Sequence, residues 1–159
     1  MVDIVQWATV PACMTPSAQT AKEAKFVTTA GIVKFAVGKS GSIVFVGAIT
    51  TSLPAGRYVL RAFLERTDPT EPNREPGLLG TNAQLRRRRH GKGGVEDVLV
   101  IDGPPVLGGN GNYVVDSPGR DFDDGIDLTD YFYWVQLELK QAQPATASTR
   151  NAVKGLRLL

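Results

Sequence analysis

Two stretches of this sequence alternate between apolar and polar residues, and this period of two constrains the fold more than any other feature. In RYVLRAFLER, residues 57–66, one set of alternate positions is entirely apolar: Tyr58, Leu60, Ala62 and Leu64. In YFYWVQLELK, residues 131–140, the corresponding set is Tyr131, Tyr133, Val135, Leu137 and Leu139. Successive side chains of a strand point to opposite sides of a sheet, so each stretch is predicted to be a strand with one buried face.

Further strand signals cover most of the remaining apolar sequence. Residues 32–50, IVKFAVGKSGSIVFVGAIT, have two arms rich in Val, Ile and Phe around the turn Gly38–Gly41, which predicts a β-hairpin. DIVQWATV, VEDVLVIDG, NYVVD and the C-terminal AVKGLRLL are shorter candidate strands. One helix is expected, in SAQTAKEAKFV, where Ser17 can cap the first turn and the Ala and Lys residues favour helix.

These signals predict an all-β fold. About seven or eight strands joined by turns that contain Gly and Pro are typical of a single antiparallel β-sandwich, jelly-roll-like or immunoglobulin-like, with at most one short helix. The sequence lacks the helical segments that a parallel α/β fold requires. A length of 159 residues suits one domain covering residues 1–159, and 42% hydrophobic with 21% charged residues is typical of a globular chain.

The densest run of charge is RRRRHGKGG, residues 86–94, which holds four arginines, one lysine and the single histidine of the chain. It ends a segment, residues 67–94, in which prolines and glycines break any periodicity. Connections longer than about 12–15 residues tend to be functional or mobile, so this segment is predicted to be one long charged loop that becomes ordered against a partner. The net charge of +2, from 18 basic and 16 acidic residues, does not indicate that the whole surface binds nucleic acid.

The basic residues of this run are candidate partner-binding residues: Arg86, Arg87, Arg88, Arg89 and Lys92. The planar guanidinium group of arginine pairs with a carboxylate or a phosphate through two hydrogen bonds. Three interpretations stay open: contact with an acidic protein surface, including a neighbouring copy of the chain; contact with a nucleic-acid backbone; or a solvated loop without a partner. No aromatic residue is interleaved with the run, which argues against recognition of single strands.

Phe132 and Trp134 form a second candidate site. In the predicted strand they lie on the face whose other residues are polar. Two large aromatic side chains at such positions are covered by the chain's own loop, by another protein chain, or by a ligand that stacks on them, such as a sugar or a base. The sequence therefore predicts that these two residues contact a partner or a loop.

Sequence signatures of catalysis, cofactors and metals are lacking. The chain has no GxSxG motif, and Gly38–Ser40 lacks the upstream glycine that a phosphate-binding P-loop requires. The aspartate-rich stretch 116–130 does not fit the register of an EF-hand and is predicted to be a structural turn. Cys13 is the single cysteine, so no disulfide can form within the chain. We therefore predict a non-enzymatic protein with no catalytic residues, no cofactor and no metal site.

The N-terminal segment gives no indication of export. It opens with the acidic Asp3, lacks a basic region, and its apolar run is interrupted at Gln6 and Thr9. No stretch reaches the roughly 18 apolar residues of a membrane span. The sequence thus predicts a protein without signal peptide or membrane contact, located in the cytoplasm or carried in a particle such as a virion.

The function predicted first is structural: a protein that packs against copies of itself or within a larger assembly, such as a virion or another particle. The first alternative is a carbohydrate-binding β-sandwich module that uses aromatic residues on a sheet face. The second alternative is a nucleic-acid-binding accessory protein that uses the arginine run. Because one fold hosts many functions, the fold class by itself does not choose among these three.

Overall fold

Two large antiparallel β-sheets, a separate two-stranded sheet and one short helix make up the computed structural model, which describes residues 5–67, 79–103, 111–141, 144–145 and 150–159. The strands are β1 (Trp7–Thr9), β2 (Thr15–Pro16), β3 (Phe26–Thr29), β4 (Ile32–Phe35), β5 (Gly41–Ala48), β6 (Gly56–Tyr58), β7 (Leu60–Thr67), β8 (Leu79–Arg89), β9 (Glu96–Gly103), β10 (Gly111–Asp116), β11 (Arg120–Phe122), β12 (Tyr131–Gln141) and β13 (Arg150–Leu158). Helix α1 spans Ala18–Glu23, and a 3-10 turn covers Pro11–Cys13.

The strands are arranged as a jelly roll. Sheet A has the order β10-β7-β13-β4-β3, with β1 also paired to β13, and sheet B has the order β2-β5-β12-β8-β9. The framework consists of eight strands: β4, β5, β7, β8, β9, β10, β12 and β13. In chain order the first of these pairs with the eighth, the second with the seventh, the third with the sixth and the fourth with the fifth, all antiparallel. Two sheets connected in this way form a jelly roll, so the predicted antiparallel sandwich is confirmed in its jelly-roll form.

The hydrophobic core lies between the two sheets, and it confirms both alternating strands. In the first stretch, which forms β6 and β7, the buried face is no more than 3% exposed: Tyr58, Leu60, Ala62 and Leu64. In β12, four residues are no more than 4% exposed: Tyr133, Val135, Leu137 and Leu139. Burial of one large apolar side chain contributes roughly 1.5–3 kcal/mol relative to its exposure. The apolar faces therefore determine which side of each sheet is left to solvent and partners.

Helix α1 forms where the sequence predicts it and is six residues long. The hydroxyl of Ser17 accepts a hydrogen bond from the backbone N–H of Thr20 at 3.2 Å, which caps the first turn. The buried Thr20 hydroxyl in turn accepts from the N–H of Val44 at 2.8 Å, which fixes the helix to the edge of β5. The helix ends at Ala24, which has a left-handed conformation with φ +49°. Among the described residues, no helix is long and apolar enough to cross a membrane.

The predicted hairpin around Gly38–Gly41 is wrong. Both arms are strands, but β4 belongs to sheet A and β5 belongs to sheet B. Each arm carries its own buried aromatic residue, Phe35 in β4 and Phe45 in β5, and the crossing places these two rings on opposite walls of the core. Gly38 permits the crossing, because its φ of +82° is readily adopted by glycine and its N–H donates to the carbonyl oxygen of Ala145 at 2.7 Å.

The prediction that residues 67–94 form one charged loop is wrong for residues 79–89, which form β8. This strand lies inside sheet B, paired with β12 on one side and with β9 on the other. Its buried residues are Thr81, Ala83 and Leu85. Two of these three side chains are small or polar, so the alternation gives only a weak signal in the sequence. Arg86–Arg89 therefore belong to a strand, and residues 68–78 lie outside the described part of the chain.

Candidate functional site

The alternation of β8 divides the four arginines between the two sides of sheet B. Arg86 lies opposite Trp134 across the β8–β12 ladder, and Arg88 lies opposite Phe132. These four side chains are on the outer side, since the residues between them in β12 face the core. Arg87 therefore points to the other side of the sheet. The two candidate sites predicted from the sequence meet on one surface, the outer face of sheet B.

The part of this surface that we call the Trp134 face consists of Phe132, Trp134, Gln136, Gln84, Arg86 and Asp97. At its centre, Trp134 is half-buried. The guanidinium group of Arg86 is fixed beside it, because Nε donates to Oδ1 of Asp97 at 2.7 Å. Nη1 of the same group donates to Oε1 of Gln136 at 3.2 Å. The face thus combines a large aromatic ring with a planar polar group whose orientation is set by neighbours on two strands.

Side-chain amides extend this polar surface along β8 and β12. Gln84 lies opposite Gln136, and Asn82 lies opposite Glu138; all four residues are half-buried. The carbonyl oxygen of the Gln84 side chain is buried and accepts no hydrogen bond from the described residues. A buried acceptor without a donor costs about 1–3 kcal/mol and is uncommon. Because this oxygen is closed to solvent as well as unpartnered among the described residues, it lowers the stability of the fold.

Phe132 is the more exposed of the two aromatic residues, with 53% of its surface accessible. The ring of His90 lies against it, with 4.1 Å between the ring centroids. The guanidinium carbon of Arg88 is 5.7 Å from the Phe132 centroid, within the range of a cation–π contact. The turn after β8 thus covers part of Phe132, and the rest of the ring is available to a partner.

Arg87 and Arg89 lie at one end of the sandwich. Nε of Arg87 donates to Oε2 of Glu96 at 2.7 Å, and the guanidinium carbon is 4.4 Å from the centroid of the Tyr131 ring. The hydrogen bond from Arg87 holds the pKa of the Glu96 carboxyl below its ordinary value. Arg89 and Lys92 are exposed and line a depression of about 280 Å³ next to Tyr131. Arg87 is therefore engaged by the chain itself, whereas Arg89 and Lys92 are accessible from solvent.

A polar cleft of about 660 Å³ at the same end is lined by the aspartate-rich turn and two arginines. The carboxylates in its wall are Asp121, Asp123, Asp124, Asp127 and Asp130. Asp127 accepts a hydrogen bond from the backbone N–H of Thr129 at 2.8 Å, and this bond lowers its pKa. In the described part of the chain, no group of three or more His, Cys, Asp or Glu side chains is placed to hold a metal ion. The Asp127 contact supports a structural function for this turn.

A larger groove, of about 800 Å³, lies on the outer face of sheet A and includes Phe63 and Val114 in its wall. The cations at this groove are engaged by neighbouring side chains. Nζ of Lys154 donates to Oδ1 of Asn112 at 3.0 Å, and the guanidinium carbon of Arg157 is 4.8 Å from the Phe63 centroid. Ligand pockets combine apolar walls with polar groups that converge on the ligand. Here those groups bind one another, so the size of the groove does not by itself indicate a site.

Sequence reasoning identified the aromatic residues and the arginines of the Trp134 face but missed its amides and Asp97. Gln84 and Gln136 are distant in sequence, and only the β8–β12 register places them opposite each other. A signal was present in NAQLR, residues 82–86, where polar residues alternate with Ala and Leu. That short alternation predicts a half-buried strand with Gln84 and Arg86 on its polar face.

No known protein family and no curated protein matches the sequence. Among solved structures, the chain has a distant likeness to the carbohydrate-binding module TmCBM61 in complex with β-1,4-galactotriose, with a TM-score of 0.42, 12% identity, and coverage of 92% of this chain and 86% of that one. It also has a likeness to a variant of Xylanase10C from Cellvibrio japonicus in complex with xylopentaose, with a TM-score of 0.37, 16% identity, and coverage of 84% and 24%. These scores carry no weight for function, which we infer from the side chains of the Trp134 face alone.

Proposed function

We propose that the Trp134 face binds carbohydrate and that the protein acts as a non-catalytic binding module. The observation that carries this proposal is the half-buried Trp134 with the Arg86–Asp97 pair and Gln136 around it. A sugar ring has an apolar C–H face and a rim of hydroxyl groups. An aromatic ring offers a matching apolar surface, and amide, guanidinium and carboxylate groups offer the donors and acceptors that hydroxyls require.

The second aromatic residue supports a ligand longer than one sugar. Phe132 and Trp134 are two residues apart on β12 and face the same side, so they lie about 6.8 Å apart along the strand. Two successive rings of an oligosaccharide can each face one of them. Phe132 is the outer of these two positions, because more than half of its surface is exposed.

The assembly function predicted first has less support from this geometry. The centre of a stable protein interface is apolar and depleted in charged residues. Trp and Arg are themselves common at interfaces, but Asp is depleted there, and Asp97 lies on this face bound to Arg86. Self-association through this face stays a prediction that a measurement of native mass can test.

Binding of a nucleic-acid backbone through the arginine run is also weakened. Affinity for phosphates comes from cations that release counterions. Arg86 and Arg87 are each within 2.7 Å of a carboxylate oxygen, on Asp97 and Glu96 respectively. Two of the four arginines are therefore already neutralised within the chain, and this function too stays a prediction.

Isothermal titration with neutral polysaccharides of different backbone, namely galactan, xylan, mannan and β-glucan, tests the proposal. Trp134→Ala is expected to weaken binding by about 2 kcal/mol, roughly thirtyfold, because a central aromatic contact is lost. Phe63→Ala is the matched control, since it removes an aromatic side chain from the outer face of the other sheet and is expected to leave affinity unchanged.

Tryptophan fluorescence gives an independent readout. The chain has two tryptophans, and Trp7 lies in β1 of sheet A. In Trp7→Phe, a change of emission on adding polysaccharide reports on Trp134 alone. If none of the polysaccharides binds, and Trp134→Ala instead lowers the native mass measured by light scattering, the assembly function replaces the proposal.

A further inference from the structure

We infer that the ligand of the Trp134 face is an uncharged polysaccharide, which names the substrate class of the proposed function and rests on it. We base it on the balance of charge on the outer face of sheet B. Its outward positions are read from the ladder registers of β8, β9 and β12. It does not depend on which neutral sugar the polysaccharide is built from.

Positive and negative groups are equal in number on this face. Its cations among the described residues are Arg86, Arg88 and Lys140, and its anions are Asp97, Asp102 and Glu138. Three positive and three negative charges give a formal net charge of zero. A surface built to attract an anionic polymer would instead carry an excess of one sign.

The ion pairs place the anions next to the cations that an acidic sugar would need. Nε of Arg86 is 2.7 Å from Oδ1 of Asp97. Nζ of Lys140 is 3.1 Å from Oε1 of Glu138. A carboxylate or sulfate group on the ligand that approached either cation would also approach its bound carboxylate, and like charges at close range strongly oppose binding. The paired cations therefore disfavour acidic ligands.

The same pairs suit hydroxyl groups. A hydroxyl both donates and accepts a hydrogen bond. The Arg86–Asp97 pair presents donors and acceptors side by side, and Gln136 adds an amide that is already bound to Arg86 through its oxygen. The half-buried amide side chain of Gln84 lies beside this group, opposite Gln136. Neutral hydroxyls thus satisfy the polar groups of the face without leaving an uncompensated charge.

Neutral polysaccharides and their sulfated derivatives test the inference, because each pair shares one backbone and differs in charge. We expect galactan, xylan, mannan or β-glucan to bind with an affinity that changes less than about twofold between about 0.02 and about 0.5 M NaCl. The sulfated derivative of the polysaccharide that binds should bind at least about tenfold more weakly. Tighter binding of the sulfated form, with affinity falling as salt rises, would overturn the inference and leave carbohydrate binding intact.

Asp97→Asn provides the decisive variant. It keeps an oxygen that can accept from Arg86 but removes the negative charge, so we expect binding of the sulfated derivative to increase and to become dependent on salt. Asp116→Asn is the matched control, because Asp116 forms the corresponding ion pair with Arg61 on sheet A, and it should not change binding. If Asp97→Asn binds the sulfated derivative no more tightly than wild type does, the electrostatic explanation is overturned. Absence of binding to all polysaccharides would remove the proposed function and this inference together.

Discussion

The outer faces of the two sheets cover the same core, but they differ in how their polar side chains are hydrogen-bonded. On sheet A, Nε and Nη2 of Arg61 donate to the two carboxylate oxygens of Asp116 at 2.7 and 2.8 Å. An aromatic residue of that face, Phe63, lies under the guanidinium group of Arg157. These side chains of sheet A are thus engaged within the chain, as expected for a surface that faces water.

Sheet B carries side-chain amides on its outer face. Its outer residues on β8 and β12 include three amides, at Asn82, Gln84 and Gln136, between an aromatic end and a charged end. Gln84 has a buried acceptor without a donor among the described residues. Polar groups that the fold leaves unsatisfied reduce stability and are retained where they serve binding. This difference supports the proposal that the binding site lies on sheet B.

Truncation of a side chain in the shared core is the largest perturbation, because it should destabilise both sheets together. Leu137 is fully buried at the centre of β12, opposite Phe45 on one side and Ala83 on the other. We expect Leu137→Ala to lower the free energy of unfolding by about 2–5 kcal/mol, because it deletes buried methyl groups and leaves a cavity. Urea denaturation followed by circular dichroism measures the loss. Lys140→Ala, on the exposed side of the same strand, is the control and should change it by less than about 0.5 kcal/mol.

Replacement of the unsatisfied amide should separate stability from binding. Gln84→Leu removes a buried oxygen that lacks a donor among the described residues and keeps a similar volume, so we expect the free energy of unfolding to rise by about 1 kcal/mol. Polysaccharide binding should weaken, because the Trp134 face loses one of its amide groups. On sheet A, Asn112→Leu removes an acceptor that Lys154 uses and should not stabilise the protein. A Gln84→Leu protein less stable than wild type would mean that the Gln84 oxygen is satisfied after all, and that the two faces do not differ in this respect.

The pH dependence of the free energy of unfolding should show how much the Glu96 carboxylate, at the end of sheet B, contributes to stability. Arg87 and, more weakly, Arg120 lower the pKa of Glu96 from its ordinary value of 4.5. A lowered folded-state pKa stabilises the fold above the unfolded pKa, and this contribution is lost as pH falls through the folded value. Glu96→Gln should therefore cost about 0.5–1 kcal/mol at pH 7, since the pair is partly exposed. The difference from wild type should shrink as pH falls below 4.5, and a difference independent of pH would contradict the assignment.

The elements that the sequence predicted correctly are those with strong local patterns. The alternation in residues 57–66 and 131–140 and the Ser17 cap each act within a few residues, so the strands and the helix follow from neighbours in sequence. In contrast, β4 pairs with β13 in sheet A and β5 pairs with β12 in sheet B, and both of these partners are distant in sequence. The local turn signal at Gly38 could not show this. Long-range pairing was therefore the part of the fold that local patterns left open.

The residues of the candidate site also divide into those with a local signal in the sequence and those without one. Trp134 could be found because an aromatic residue on a polar face is conspicuous in the sequence. The run Arg86–Arg89 was conspicuous too. Its side chains do not form one site, however, because neighbouring side chains of a strand point to opposite sides of the sheet. Gln84 and Asp97 were missed, since their importance depends on the neighbours that the register of sheet B gives them.

The smallest effect we expect concerns two arginine–phenylalanine pairs, one on each outer face. The guanidinium carbon of Arg157 is 4.8 Å from the Phe63 centroid, whereas that of Arg88 is 5.7 Å from the Phe132 centroid. Cation–π contacts at exposed sites contribute about 0.5–1 kcal/mol and weaken with distance.

Double-mutant cycles with alanine at both positions of each pair, evaluated from urea denaturation, give the two coupling energies. We expect about 0.5 kcal/mol or more for the pair on sheet A and less for the pair on sheet B. A smaller coupling at Phe132 means that its ring is not fully committed to the chain's own cation and can exchange that contact for a ligand. Equal or larger coupling at Phe132 would show that Arg88 covers it as Arg157 covers Phe63. Trp134 would then be the single aromatic residue of the Trp134 face open to a sugar ring.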